Sequence, residues 1–147
     1  MLVLDMKKEL FPVKHVSIRC QIKKLERVFN DFIRLRDFEK GCISCGKRLS
    51  WSGAWHAGHY YNVSTSYSGL RFHEKNVHGQ CKHCNTFLEG NKQGYSLGLI
   101  KRFGPKILEE LEVLKVITRG QVWTHWEYEC MIKFYKDKID SLGGITK

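Results

Sequence analysis

Four cysteines occur as two closely spaced pairs, in residues 42–45 (CISC) and 81–84 (CKHC). A Cys-x-x-Cys turn places two thiolates on one side of a tight loop, and two such turns can fill all four corners of a tetrahedral zinc site. Gly46 follows the first pair, where a tight turn favours glycine. The spacing alone leaves an iron–sulfur cluster or free thiols open as alternatives. We predict a closed structural zinc site formed by Cys42, Cys45, Cys81 and Cys84.

This zinc site is expected to act as scaffold. The surrounding stretch is loop-rich and poor in apolar residues, and zinc binding can supply about 10–16 kcal/mol toward folding such a segment. A four-sulfur site has no open coordination position, so any chemistry must lie beside it. The remaining cysteines, Cys20 and Cys130, stand singly in helical segments. They are predicted to be small buried apolar side chains.

A second group of polar residues lies near the two pairs. His56 and His59 fall between them, and Asn85 directly follows Cys84. If the histidines lie on a strand and Asn85 begins a helix beside it, one histidine and Asn85 can bind a second metal ion while another histidine activates a water. On a regular strand the two histidines point to opposite faces, so a shared site requires a bulge, which we place at Gly58. We predict that His59 is the general base in hydrolysis of a phosphodiester.

The net charge of +10 on 147 residues favours an anionic partner. Nucleic acid is the first candidate, because neutralising phosphates with Lys and Arg releases counterions. Plain solubility is the alternative explanation of the charge. Near the predicted site, the candidates for phosphate contacts are Arg71, Lys82 and Lys92. The length indicates a single domain. Charges interrupt the apolar residues of the first eleven positions, so we expect no signal peptide, a cytoplasmic location and reduced thiols.

Three segments must position these residues. In residues 12–40, apolar side chains at helical spacing predict an amphipathic helix with a basic side. Residues 41–92 contain the four predicted zinc ligands and their two turns, which we call the zinc knuckle. Strands are predicted at 57–61 and 70–72, and a helix is predicted to start near Cys84 or Asn85. Residues 93–142 are predicted to be helical, with a boundary at Gly104 and a capping box from Thr124 to Glu127. The fold class is therefore α+β.

The central motifs resemble one family of phage proteins. Residues 42–91 read CISCG, then W-x-AGHY, then LRF-x-E-x-N-x-H-x-QC-x-x-CN, then GN. This string resembles the phage recombination protein family NinG, also called Rap. The family is described as structure-specific endonucleases that act on branched recombination intermediates such as Holliday junctions and D-loops. It is similar to the zinc-containing HNH, or ββα-metal, nucleases, including endonuclease VII. The resemblance thus implies a small zinc-stabilised ββα-metal core flanked by N-terminal and C-terminal helices.

The resemblance also assigns roles to single residues. It implies that His59 is the general base and that Asn85 binds a catalytic Mg²⁺ or Mn²⁺. The second ligand position, three residues before the base, is an aspartate in such sites, and this sequence has His56 there. Because imidazole suits manganese, nickel or zinc better than magnesium, the substitution bears on which ion is used. Asn76 and His78 are predicted to be structural: Asn76 ties the loop to the strand, and His78 supports the knuckle from outside its ligand set.

These observations predict a structure-specific DNA endonuclease of phage-type recombination in the bacterial host cell. A homodimer is expected, because paired cuts at a junction require two-fold symmetry. The alternative is a zinc-stabilised DNA-binding module without catalysis, for which His56 in place of aspartate is the main argument. A third possibility is an interaction protein whose knuckle binds another protein.

Overall fold

The computed structural model describes residues 16–50, 55–63 and 65–144, without the side chains of residues 65–67. The helices are α1 (Ile18–Asp37), α2 (Lys92–Phe103), α3 (Ile107–Ile117) and α4 (His125–Ser141), and the strands are β1 (Trp55–His59) and β2 (Val77–Cys81). Shorter elements are the 3-10 helices Phe38–Lys40 and Thr65–Leu70 and a π-helical turn, His83–Phe87. The two strands form an antiparallel sheet. The predicted α+β class is confirmed.

Helix α1 forms where the apolar spacing predicted it. The Ser17 hydroxyl caps its start by accepting a hydrogen bond from the Cys20 amide. The buried stripe of α1, including Leu25 and Phe29, packs against α4. Within this core the ring of Phe29 meets that of Tyr135 edge-on at 4.9 Å. Each such buried side chain stabilises the fold by roughly 1.5–3 kcal/mol, so the α1–α4 pair forms a firm base for the sheet.

The sheet differs from its prediction in two respects. The second strand is β2, whereas residues 70–72 form the end of a 3-10 helix and a turn. Every residue of β2 is buried, so its polar-looking sequence VHGQC carries no alternation that could reveal a strand. The predicted bulge at Gly58 is also wrong, because the strands pair residue for residue from Trp55–Cys81 to His59–Val77. Glycine is needed there because a Cβ atom would lie 2.3 Å from the Gln80 side chain.

The C-terminal helices begin and end close to the predicted boundaries. Helix α2 ends at Phe103, directly before Gly104, and α4 starts with the capping box between Thr124 and Glu127. Helix α2 lies directly on the first cysteine turn: a Cβ atom at Gly98 would stand 1.8 Å from the Ile43 carbonyl oxygen. This close approach builds a second core from α2, α3 and Ile43. No helix in the described part of the chain is long and apolar enough to cross a membrane.

A buried carboxylate joins α1 to β2. Asp37 is fully buried, and its Oδ2 accepts hydrogen bonds from the Gly79 amide (2.9 Å) and from Arg36 Nη2 (2.7 Å). Burial by itself would raise the pKa of Asp37, but its polar contacts with His78, Arg36 and Gly79 outweigh burial and hold that pKa far below the ordinary value. The charged carboxylate therefore fixes the end of α1 to the middle of the second strand.

Substitution Asp37→Asn is expected to destabilise the protein by about 3 kcal/mol at neutral pH, because it leaves buried donors poorly matched. The contribution of the charge is fully present above the unfolded carboxyl pKa near 3.8 and is lost as the pH falls below it. Urea denaturation of wild type and variant at neutral and acidic pH measures both effects.

The matched control is Asp137→Asn, whose exposed carboxylate pairs with Lys133 one helical turn away. That change should stay within about 0.5 kcal/mol of wild type. Equal effects of the two substitutions would refute the role given to Asp37.

Candidate functional site

The four predicted zinc ligands lie together. The sulfur atoms of Cys42, Cys45, Cys81 and Cys84 are all within 4.8 Å of one another, and those of Cys45 and Cys81 are 3.8 Å apart. Four sulfurs bonded tetrahedrally at about 2.3 Å from a zinc ion would be separated by about 3.8 Å. Among the described residues this is the one cluster of three or more His, Cys, Asp or Glu side chains close enough to hold a metal ion. The cluster can therefore hold a metal such as zinc.

Neighbouring N–H groups point at the sulfurs. The Cys81 amide donates to Cys42 Sγ (3.3 Å), and the side-chain amide of Asn91 donates to Cys84 Sγ (3.4 Å). Burial, reinforced by the neighbouring cysteines, raises the pKa of the Cys84 thiol to about 12. Four thiolates crowded together repel one another, whereas a divalent cation would hold all four deprotonated. The donor set and its N–H groups thus fit a tetrahedral cation.

The other two cysteines are not part of this cluster. Cys20 and Cys130 are both exposed, so the prediction that they are buried apolar side chains is wrong. Each occupies the solvent side of its helix, opposite the stripe that packs α1 against α4. A lone cysteine in a helical pattern does not reveal which face it occupies.

His59 lies at the end of β1 in an orientation suited to a base. Its Nε2 atom is 3.0 Å from the carbonyl oxygen of Arg71. A carbonyl only accepts, so Nε2 carries the proton and Nδ1 keeps its lone pair. Burial of the ring lowers the pKa of His59 below its usual value of 6.5, and the Arg71 charge acts in the same direction. The ring is therefore neutral at pH 7, with Nδ1 able to accept a proton.

Two adjoining depressions flank Asn85. One, of about 350 Å³, is lined by Ala57, His59, Asn62, Asn85, Glu89 and Gly90, and we call it the His59 cleft. The other has a similar volume and is lined by His56 with Asn30, Arg34, Trp55, Ala57 and Asn85. Asn85 reaches both, and its Nδ2 lies 3.0 Å from His56 Nδ1. The regular strand thus separates the two histidines, and Asn85 stands between them.

The predicted supporting residues have clear contacts. Asn76 is buried; its amide accepts from the Tyr61 N–H (2.8 Å) and donates to the Leu70 carbonyl (3.2 Å), so it holds the loop between the strands. His78 is also buried, but its ring contacts Arg36 Nη2 and the Lys75 carbonyl. His78 thus serves the junction of α1 with β2, because none of its described hydrogen bonds reaches a cysteine sulfur.

The three phosphate-contact candidates differ in position. Lys92 lies beside His59 in a small adjoining pocket, with its ammonium group 4.1 Å from the ring centroids of both Tyr60 and Tyr61. Arg71 pairs with Glu26 at 2.8 Å. Lys82 is exposed at the start of the π-helical turn. Lys92 is thus the candidate that the fold brings to the His59 cleft.

Sequence reasoning missed two residues at this site. Glu89 lines the His59 cleft with a left-handed backbone (φ 48°), and Gln80 is fully buried and donates to the carbonyl of the next residue, Gly90. The order Glu89-Gly90 was a signal for a tight turn, since Gly90 also has a positive φ. Nothing in the sequence pattern distinguishes Gln80 from a surface residue.

A larger groove of about 630 Å³ lies on the far side of the cysteine cluster, between the first cysteine turn and α2. Leu97 and Phe103 line it and are more than half exposed, although their helical spacing is that of an apolar face. The groove contains neither His59 nor Asn85.

The fold and the cysteine cluster define a small, basic α+β protein built around a candidate metal site. The family model described as "Bacteriophage Lambda NinG protein" matches residues 5–143. The chain therefore belongs to the NinG family.

Curated relatives agree with this assignment. The chain is 37% identical over 121 residues to "Protein ninG" of Escherichia phage lambda, covering 82% of this chain and 56% of that protein. It is equally similar to "Protein ninG" of Salmonella phage P22, covering 57% of that relative. It is 41% identical over 91 residues to "Protein ninG" of Enterobacteria phage H19B, covering 62% of this chain and 44% of that one. The chain thus spans about half the length of these relatives. No solved structure matches it.

We expect the purified chain to contain one zinc ion, and Cys81→Ser or Cys84→Ser to remove it. Loss of the metal should lower the free energy of unfolding by more than about 4 kcal/mol, because the two cysteine turns lose their link. Metal analysis by atomic emission and thermal unfolding by circular dichroism check this.

The exposed cysteines provide matched controls. Cys20→Ser and Cys130→Ser should keep both the zinc and the melting temperature. Iron in place of zinc, or equal losses in all four variants, would contradict the assignment.

Proposed function

We propose that this chain is a metal-dependent endodeoxyribonuclease that cuts branched DNA, such as Holliday junctions and D-loops, in phage recombination. The observation that carries the proposal is the state of His59. Its ring is held by the Arg71 carbonyl, its Nδ1 has no hydrogen-bond partner among the described residues, and it shares an open cleft with Asn85. Such a neutral, oriented imidazole is what a general base for hydrolysis requires.

In this proposal β1, β2 and the π-helical turn form the ββα-metal unit. Asn85 would help to hold the catalytic divalent ion, and the family resemblance adds position 56, here His56, as a second ligand. A cation bound there would stabilise the charge that develops on the phosphate and the leaving oxygen. His59 Nδ1 takes the proton from the attacking water, while the Arg71 carbonyl keeps the ring in one tautomer and stabilises its protonated form.

Lys92 is the side chain best placed to meet a phosphate. Its ammonium group donates to the Tyr60 carbonyl (3.1 Å) and lies over two tyrosine rings, so its position beside His59 is restricted. A lysine held in this way offers a fixed positive charge to the scissile phosphate. Arg71 and Lys82 would then contact DNA further from the reaction.

The rest of the DNA path would follow the basic surface of α1. Lys23, Lys24 and Arg27 are exposed on its solvent side, away from the buried stripe. Contacts of this kind with the backbone supply affinity without reading sequence. A homodimer would present two His59 clefts to two strands of a junction, as paired cuts require.

The second candidate function is a zinc-stabilised DNA-binding module without catalysis. The observation in its favour is His56, which replaces the expected carboxylate and whose Nδ1 is occupied by the Asn85 amide. A chain of this type would bind junctions, but no divalent ion would support their cleavage.

His59→Ala should reduce the rate of cleavage of a synthetic four-way junction by about 10²–10⁴-fold, because the general base is lost. Binding of the junction, measured by gel shift in the absence of the divalent ion, should be unchanged. The control is His125→Ala, which removes an exposed histidine at the start of α4. Wild-type protein that binds junctions but cuts none with Mn²⁺ or Mg²⁺ would favour the binding module.

Cleavage should also persist into mildly acidic solution. The base is active when neutral, and burial lowers the pKa of His59, so the acidic limb of the rate profile should have its midpoint below pH 6.5. Single-turnover rates across pH, with metal and DNA saturating, measure this limb. A midpoint above 6.5 would contradict the assignment of His59 as the base.

A further inference from the structure

The backbone at Gly58 brings two side-chain oxygens together. A Cβ atom at this position would lie 2.3 Å from Gln80 Oε1 and 3.1 Å from Asn85 Oδ1. These two distances place the amide oxygens at most about 5.4 Å apart, on the side of β1 where Gly58 has no side chain. Gln80 is fully buried, and its Oε1 accepts no hydrogen bond from any residue in the described ranges. Two acceptor oxygens this close together create a negative potential that favours a nearby cation.

The orientation of Gln80 is fixed by its nitrogen. Its Nε2 atom donates to the Gly90 carbonyl (2.6 Å) and to the Ser44 hydroxyl (2.7 Å). Because a carbonyl only accepts, the amide nitrogen must face Gly90 and the oxygen must face Gly58. The hydrogen bond to Gly90 also holds the Glu89-Gly90 turn, and the one to Ser44 reaches the first cysteine turn. Gln80 thus links strand β2 to both turns.

In the structure Asn85 turns its side-chain nitrogen toward His56, which requires the His56 tautomer that is protonated on Nε2. Its Nδ2 can only donate, so His56 Nδ1 accepts this hydrogen bond and Asn85 Oδ1 is directed away from His56. Arg34 also lines the depression on the His56 side, where its guanidinium pairs with Asp31. The hydrogen bond to His56 therefore leaves the Asn85 oxygen available to a cation on the other side of Asn85.

Glu89 lies on that other side. It lines the His59 cleft with Asn85, and its carboxylate forms no ion pair with another described residue in a chain of net charge +10. Carboxylate and amide oxygens are the donors that Mg²⁺ and Mn²⁺ prefer. Glu89 can therefore supply the carboxylate that position 56 lacks.

We propose that Glu89 and Asn85 Oδ1 bind a divalent cation of the magnesium class in the His59 cleft. Gln80 Oε1, buried close to Asn85 Oδ1, adds its partial negative charge to the site, and His56 is a positioning residue that orients the Asn85 amide. The role of this ion in hydrolysis rests on the proposed nuclease function, whereas its binding does not. The site replaces the pairing of His56 with Asn85 that the family resemblance implied.

The test is titration of the zinc-loaded full chain with Mn²⁺, followed by the electron paramagnetic resonance signal of the free ion. Wild type should bind one Mn²⁺ per chain, and Glu89→Gln should weaken that binding by about tenfold or more, because it removes a charged ligand. The control Glu109→Gln makes the same charge change on α3, outside the cleft, and should bind as wild type. Unchanged zinc content and melting temperature show that each variant is folded.

A second measurement separates the two roles of His56. Electron spin echo modulation of bound Mn²⁺ should show no nitrogen coupling from a directly bound imidazole, in wild type or in His56→Ala. A coupling that disappears in His56→Ala would make His56 a ligand and overturn the proposal. Wild type that binds no Mn²⁺, or Glu89→Gln that binds it normally, would overturn it as well.

Cleavage of a junction, assayed in parallel, keeps the two proposals distinguishable. If the chain binds Mn²⁺ through Glu89 but cuts no DNA, the proposed metal site is supported and the proposed nuclease function is refuted. If the wild-type chain cuts DNA and Glu89→Gln binds Mn²⁺ as tightly as wild type, the nuclease function is supported and the proposed metal site is refuted.

Discussion

Four sulfur atoms within 4.8 Å of one another are the constraint on which this structure depends. They come from two turns separated by more than thirty residues, one before β1 and one at the end of β2. Thiolates at this separation repel one another unless a cation lies between them, so binding of a metal would be coupled to folding of the central segment. Closing the cluster fixes where β2 ends and therefore where Asn85, the residue after Cys84, must lie.

The rest of the candidate site is built outward from this cluster. The pairing of β1 with β2 fixes the position of His59 relative to the cysteine cluster. The hydrogen bond from Gln80 to the Gly90 carbonyl fixes the Glu89-Gly90 turn. Helix α2 sits on the first cysteine turn because Gly98 permits contact with the Ile43 carbonyl. On the opposite side, Asp37 ties α1 to the Gly79 amide. Within the cleft, His59 is held by the Arg71 carbonyl and Asn85 by its contact with His56.

Local patterns in the sequence predicted the features that depend on neighbouring residues. The cysteine spacing gave the ligand cluster, helical spacing gave α1, and the Thr124–Glu127 box gave the start of α4. Features that depend on tertiary packing could not be predicted from the sequence. Strand β2 is buried along its whole length and shows no alternation, and Gly58 is required by contact with Gln80, where the sequence suggested a bulge. Glu89 reaches the cleft through a left-handed turn that no periodicity describes.

The central claim is that a zinc-held scaffold places a catalytic cation beside His59 and Asn85. Anomalous diffraction from crystals of the zinc-loaded chain soaked in Mn²⁺ tests it most directly. We expect a zinc peak among Cys42, Cys45, Cys81 and Cys84, and a manganese peak in the His59 cleft between Asn85 and Glu89. A manganese peak on the His56 side, or none in the cleft beside a well-defined zinc peak, would contradict the account.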